Sequence, residues 1–182
     1  AVNADGSEPR VLVRLMYEWV SHRAGPGRPP LDYNHDLLAV PEDGSGEVIV
    51  GRYVWGAGGD LTDIVPLRLN SRDGRTRPVA PGAPDGATGW LFDPRGETRL
   101  AWGQHQGQQV LHWRDPGADG WRELARQPAT RTRWSPVAVD AAGQLAQLRD
   151  REVQLLAGGR DRRGGPRAGP ARPGALSPAW ST

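Results

Sequence analysis

The chain has 182 residues, with 23 basic and 21 acidic side chains and no cysteine. This length suits one domain or part of a larger one, and the lack of cysteine excludes disulfide frameworks and thiolate metal sites. Every basic residue is arginine, so the isoelectric point of 9.6 overstates how basic the chain is at neutral pH. No apolar run approaches the roughly 18 residues of a membrane-spanning helix, and no membrane partner is expected.

The N-terminal region, residues 1–30, is predicted to contain one strand and a Pro/Gly loop. Apolar and polar side chains alternate between Val11 and Val20, which is typical of a half-buried strand. Residues 23–30 contain three prolines, which cannot donate to a sheet ladder. Residues 1–9 show no signal-peptide pattern, so localisation stays open between the cytoplasm and the periplasm.

The body, residues 31–157, is predicted to be all-β, with short strands separated by polar turns. The Asp43-Gly44 step marks a first hairpin, because glycine tolerates a positive φ. Pro66 indicates an edge or bulged position, since proline has no N–H for the ladder. Strands are expected at residues 37–40, 47–55, 63–69, 76–80, 88–92, 97–102, 109–114, 121–125, 136–139, 144–148 and 152–156.

An internal repeat favours one of the all-β architectures. Trp90 precedes Asp93-x-x-Gly96, Trp134 precedes Asp140-x-x-Gly143, and the two aspartates are 47 residues apart. A weaker copy leads from Leu37 to Asp43-Gly44. A period of roughly 40–50 residues with four strands per unit is typical of a β-propeller. Tryptophans between blades are then expected to be packing residues. A β-sandwich is the alternative, and it does not require the repeat.

The body has room for about three such antiparallel four-stranded blades, whereas closed propellers typically have four to eight. The expectation is therefore a partial propeller that belongs to a longer protein. Residues 158–182 carry five arginines and one aspartate among Gly, Pro and Ala, a composition that predicts a disordered tail. A segment that contacts anionic partners and a frame-shifted translation of a GC-rich gene are the alternatives for this tail.

The search for chemistry predicts no catalytic, cofactor or metal site. Ser45 lies between two glycines in a hairpin turn, so it is interpreted as a turn residue and not as a nucleophile. The histidines have no metal-ligand spacing, and the glycine cluster at 56–59 is followed by no helix to form a phosphate cradle. Adjacent Glu42 and Asp43 diverge in a turn and give no acid–base geometry. The four histidines are His22, His35, His105 and His112.

Arginine stands next to tryptophan in several places, and such side chains can stack on the bases of a single strand. The pairs are Trp113-Arg114, Trp121-Arg122 and Arg133-Trp134. Residues 1–157 hold 18 arginines against 20 acidic residues, so the body offers no basic face for nucleic acid. Arginine stems that cover tryptophan edges are the preferred interpretation, and a nucleic-acid partner is not expected.

Residues 31–157 resemble the N-terminal propeller of bacterial prolyl oligopeptidase-like serine peptidases. The most specific parts are Trp90–Arg99, with its Asp93-x-x-Gly96-x-x-Arg99 pattern, and the hairpin from Trp113 to Trp121. The resemblance implies a C-terminal α/β-hydrolase domain with a Ser-Asp-His triad, which the propeller caps so that only peptides or small acyl substrates enter. No triad residue is carried over to this chain, and the Glu-Glu pair of aminodipeptidase members is not apparent.

Three functional hypotheses follow for the chain. In the first it is the non-catalytic gating and scaffold portion of such a peptidase. In the second it is a protein-binding propeller module with no enzyme attached. The third, an arginine-rich nucleic-acid binder, has the least support because the charge balance of the body opposes it.

Overall fold

A computed structural model describes residues 10–16, 29–131, 134–149 and 152–156. Within these ranges the chain forms eleven β-strands, one short 3₁₀ turn at Ala129–Arg131 and no α-helix. The strands are β1 His35–Ala39, β2 Glu47–Trp55, β3 Leu61–Asn70, β4 Thr76–Pro78, β5 Gly89–Phe92, β6 Thr98–His105, β7 Gln108–Trp113, β8 Arg122–Pro128, β9 Trp134–Val139, β10 Leu145–Arg149 and β11 Glu152–Leu156.

The strands form three antiparallel sheets in which each strand pairs with its neighbour in the chain. Sheet 1 has the order β1-β2-β3-β4, sheet 2 the order β5-β6-β7-β8, and sheet 3 contains β9, β10 and β11 among the described residues. The prediction of an all-β fold with antiparallel four-stranded sheets is confirmed. Each strand predicted from residue 37 onward overlaps one of these strands, although the ends differ by up to three residues.

The repeated aspartate builds the same turn in two sheets. The amide of Asp93 donates to the Glu97 carbonyl (3.0 Å), and the Glu97 amide donates back to Asp93 Oδ1 (3.0 Å). Asp140 makes the corresponding pair of bonds with Gln144, at 3.0 and 2.7 Å. Each turn ends in a glycine with a positive φ, 77° at Gly96 in the first, a conformation that costs glycine little. The sequence repeat is therefore a repeat of local structure.

Successive residues of β6 pack against the two sheets on either side of sheet 2. Ala101 packs with Trp90 and with Ile64 of sheet 1 in one core cluster. Leu100, the adjacent residue, packs with Trp113 and residues of sheet 3 in the other. Because successive strand side chains point to opposite faces, one strand serves both clusters. Trp90 and Trp113 are buried, as predicted for packing residues.

The N-terminal strand predicted from Val11 to Val20 is not formed over residues 10–16. There the chain makes one isolated parallel bridge, between Val13 and Leu31. The Arg14 amide donates to the Leu31 carbonyl, and the Leu31 amide donates to the Leu12 carbonyl. The remainder of that predicted strand, most of the Pro/Gly loop and the predicted disordered tail at 158–182 lie outside the described residues.

Pro66 lies within β3 opposite Gly51 in regular register, so it is not in a bulge, but its other side faces the outer edge of β3, which β4 does not reach, in agreement with the predicted edge position. The Ile64 amide donates away from β2, to the Ala87 carbonyl, so the nitrogen of Pro66, two residues on, faces the same side. Ladder pairing with β4 reaches only from Leu67 to Leu69. The missing N–H therefore costs no ladder hydrogen bond.

Candidate functional site

Arginine–carboxylate contacts tie the turns of sheets 1 and 2 together. Arg68 donates to Asp43 (2.7 Å) and to Glu47 (3.2 Å), and it also donates to the backbone carbonyl of Arg95 in the β5–β6 turn. Hydrogen bonds from Ser45, and then the contact with Arg68, hold the pKa of Asp43 well below its ordinary value. The guanidinium of Arg68 is engaged by these three acceptors, so the cluster joins sheet 1 to sheet 2.

A second group of arginines is buried within sheet 2. Arg99 donates twice to Asp93 Oδ2, at 2.9 and 2.7 Å, and both side chains are only 10% exposed. Arg114 donates to the Thr98 carbonyl (3.1 Å), and its guanidinium lies 5.3 Å from the ring centre of Trp121. These charges are satisfied internally. They stabilise the sheet and are not presented to a ligand.

The arginine–tryptophan pattern thus has a structural role where the structure describes it. Arg114 and Trp113 are both buried, so neither is available to stack on a base, and it is the guanidinium of Arg114, not its stem, that lies over the ring of Trp121. Arg122 contacts Asp115 at 3.2 Å. The pair Arg133-Trp134 falls partly outside the described residues.

Ser45 is a turn residue, as the sequence indicated. Its amide donates to Asp43 Oδ1 (3.0 Å), and its Oγ accepts from the Glu47 amide (3.1 Å). The glycine cluster after β2 forms a tight turn, in which the Gly59 amide donates to the Gly56 carbonyl. Both segments close hairpins, and neither presents the geometry of a nucleophile or of a phosphate cradle.

The described histidines stand on different elements. His35 is buried, with its Nδ1 3.0 Å from the Asp32 carbonyl, and His105 is exposed at the end of β6. His112 is half-buried in β7, where burial lowers its pKa. His22 lies outside the described residues. Within the part of the chain that the structure describes, no group of three or more His, Asp or Glu side chains is arranged to hold a metal ion.

A cavity of about 410 Å³ opens beside the outer edge of β3, where β4 no longer pairs with it. The connection from β4 to β5, residues 79–88, forms its other wall. Its walls carry small apolar groups and two carboxylates, and they include Val54, Asp63, Val65, Ala83, Asp85 and Trp90. It is the candidate functional site with the clearest chemistry among the described residues.

The backbone at this edge of β3 is already hydrogen-bonded. The Ile64 amide donates to the Ala87 carbonyl (2.8 Å), and the Ile64 carbonyl accepts from Nε1 of Trp90 (2.7 Å). The Pro66 carbonyl accepts from the Val79 amide (3.4 Å). One oxygen of Asp63 accepts from the Gly86 amide (2.8 Å), which fixes the side chain against the loop. The backbone groups at this edge of β3 therefore have partners without another strand.

Sequence reasoning missed this cavity. Asp63 and Asp85 are 22 positions apart and match no motif, and the stretch between β4 and β5 has no strand pattern. Two signals were nevertheless present. One is Pro66, which removes a donor from β3, and the other is the length of a connection rich in Pro, Gly and Ala, since tight hairpins need only two to five residues.

No helix in the described part of the chain has the length and apolar character needed to cross a membrane. Comparisons with protein-family models, with curated proteins and with solved structures gave no match.

Proposed function

We propose that the three sheets are consecutive blades of a β-propeller, and that the chain is the gating and scaffold portion of a prolyl oligopeptidase-like serine peptidase. The observation that carries the proposal is the serial packing of the sheets, in which β6 contributes Ala101 to one interface and Leu100 to the next. Chain-ordered antiparallel sheets that pack face to face in sequence are what a propeller requires.

Two further features support this arrangement. The first strands of sheets 2 and 3, β5 and β9, lie against each other, as inner strands do around a propeller axis. The Asp93 and Asp140 turns recur at the same place in their sheets, between the first and second strands. Both features favour a rotation that carries one sheet onto the next over a β-sandwich, which has only two layers.

The exposed surface of sheet 1 supports the proposal that the chain is part of a longer protein. Leu37 stands in β1 at the position that Trp90 has in β5, one residue before the leucine that packs toward the next sheet. Trp90 is 9% exposed, whereas Leu37 is 61% exposed. Leu37 is thus the side chain that a preceding blade would cover. In the complete peptidase we assign this surface to another blade and the catalytic chemistry to the α/β-hydrolase domain.

The nucleotide sequence of the gene tests this proposal. The reading frames beyond the codon for Ala157 should contain further blades and then a Gly-x-Ser-x-Gly elbow. The 182-residue chain itself should not react with a fluorophosphonate probe, because Ser45 and Ser71 lie in turns and Ser135 lies in strand β9, none of them in a nucleophile elbow. Frames without blade pattern or elbow would remove the peptidase assignment, and specific labelling of the chain would contradict its non-catalytic role.

A protein-binding propeller without an enzyme domain is the second candidate, and one observation favours it. Trp55 ends β2 with 57% of its surface exposed, stacked on Tyr53 at a ring distance of 6.1 Å. Tyr53 is held in place by its hydroxyl, which donates to Asp36 (3.1 Å). Tryptophan and tyrosine dominate the energetics of protein interfaces. If this candidate is right, Trp55→Ala abolishes binding of a partner without a change in the melting temperature.

A further inference from the structure

The cavity beside β3 has an unusual balance of hydrogen-bonding groups. Its prolines have no N–H, and the amide of Ile64 and the indole N–H of Trp90 are already used by backbone carbonyls. The side chains of the lining also offer carboxylate oxygens that can accept hydrogen bonds. Asp63 keeps one carboxylate oxygen that takes no hydrogen bond from a described residue, and Asp85 has neither a hydrogen bond nor an ion pair among them.

The charge of the cavity has one sign. Its lining contains two carboxylates and no arginine or histidine. Between these carboxylates the walls are formed by short apolar side chains such as Val65, Ala80 and Ala83. An apolar body that entered here would remove water from both carboxylates, at a cost that only a positive charge or a strong donor offsets. An anion would meet repulsion from both carboxylates.

From these observations we propose that the cavity binds a compact organic cation, a primary ammonium or guanidinium group on a short apolar body. Its volume of about 410 Å³ lies at the small end of ligand pockets, about 300–1,000 Å³. The cation pairs with the free oxygen of Asp63 and with Asp85, and the apolar body lies against Val65 and Ala83. The ring of Trp90 forms part of the wall and adds attraction for the cation. This site is independent of the peptidase assignment.

The test is a titration of the 182-residue chain with n-butylammonium chloride, followed by NMR at the amides of Gly86 and Ala87 and at the indole of Trp90. Sodium chloride at equal ionic strength separates binding from screening, and sodium butyrate supplies the same apolar body with the opposite charge. We expect saturable shifts with butylammonium and none with butyrate. Equal binding of the two would overturn the proposal.

Variants of the two aspartates test whether their charges bind the cation. Asp63→Asn keeps an oxygen for the Gly86 amide, and Asp85→Asn changes an exposed side chain, so both are expected to fold. Each should raise the dissociation constant for butylammonium about tenfold, the effect of losing one charge-assisted hydrogen bond. Asp119→Asn, the same change in the β7–β8 loop, should leave that constant unchanged.

Ala83→Leu tests the volume, since it fills the cavity while both carboxylates stay. It should abolish the saturable shifts. The proposal is overturned if the Asp63→Asn and Asp85→Asn variants bind with the affinity of the unmodified chain, if Asp119→Asn weakens binding as much as they do, or if Ala83→Leu binds normally. An unchanged melting temperature shows that a given variant is folded.

Discussion

The carboxylate of Asp93 has two separate structural roles, and replacing it with alanine removes both. Oδ1 accepts from the amides of Arg95 and Glu97, both at 3.0 Å, and so holds the turn. Oδ2 accepts the two hydrogen bonds from the buried Arg99. The repeated Asp140 has only the first role, because its Oδ1 accepts from the Gln144 amide and no arginine stands in the place of Arg99. Asp140→Ala is therefore the matched control.

The two roles of Asp93 contribute different amounts to the free energy of unfolding. Two turn hydrogen bonds contribute about 2 kcal/mol together, at about 1 kcal/mol each. Loss of one partner from a buried ion pair costs about 3 kcal/mol at the low end, which suits Arg99 because it keeps a long bond to the Asp115 carbonyl (3.4 Å). Asp93→Ala should thus lower the free energy of unfolding by about 5 kcal/mol. Asp140→Ala should lower it by about 1 kcal/mol.

Urea unfolding followed by tryptophan fluorescence measures both losses, with the slope against denaturant checked for each variant. The double variant Asp93→Ala/Arg99→Met should be more stable than Asp93→Ala alone by about 2 kcal/mol or more, because it removes the unpaired charge and retains the apolar stem. Equal losses for Asp93→Ala and Asp140→Ala, or a double variant no more stable than Asp93→Ala, would refute the role given to the buried pair.

Two other perturbations test the packing and the electrostatics. A Cβ at Gly103 would lie 1.8 Å from the Gly86 carbonyl oxygen, so Gly103→Ala should destabilise the fold by several degrees in melting temperature, whereas Gly120→Ala, with no atom within 4 Å of its Cβ, should change it little. Burial lowers the pKa of His112 below its ordinary 6.5, so its contribution to stability is present above pH 6.5 and lost as the pH falls through the folded value. In His112→Gln the fall in melting temperature between about pH 7.5 and 5 should be smaller than in the unmodified chain.

Local patterns in the sequence were enough to predict the sheets. The Asp-Gly and Asp-x-x-Gly turns depend on neighbouring residues, and local geometry determines them. Pro66 was predicted at an edge or bulged position, and it lies where the outer side of β3 is not paired with β4. Whether β4 reaches that far depends on where the chain leaves the sheet, which no local pattern encodes.

The cavity and the buried arginines depend on tertiary contacts. Asp63 and Asp85 come together because the β4–β5 connection folds back over the edge of β3, where the Gly86 amide finds the Asp63 carboxylate. Arg114 follows Trp113 in the sequence, but its guanidinium lies over the ring of Trp121, across the β7–β8 loop. Adjacent residues of a strand point to opposite faces, so sequence adjacency was a poor guide to that pairing.

The most direct test of the propeller arrangement is a pair of distances between sheets 1 and 3. The chain has no cysteine, so pairs of cysteine substitutions can carry spin labels at chosen positions. One pair replaces Leu37 and Val137 on the inner strands β1 and β9. The other pair replaces Arg77 and Gln154 on the outer strands β4 and β11. Strands lie about 4.8 Å apart and packed sheets about 10 Å apart. In a flat stack both label distances would be near 20 Å. Blades of a four- to eight-bladed wheel fan outward, so the outer distance should exceed the inner one by about 20 Å or more. Equal distances would contradict the propeller.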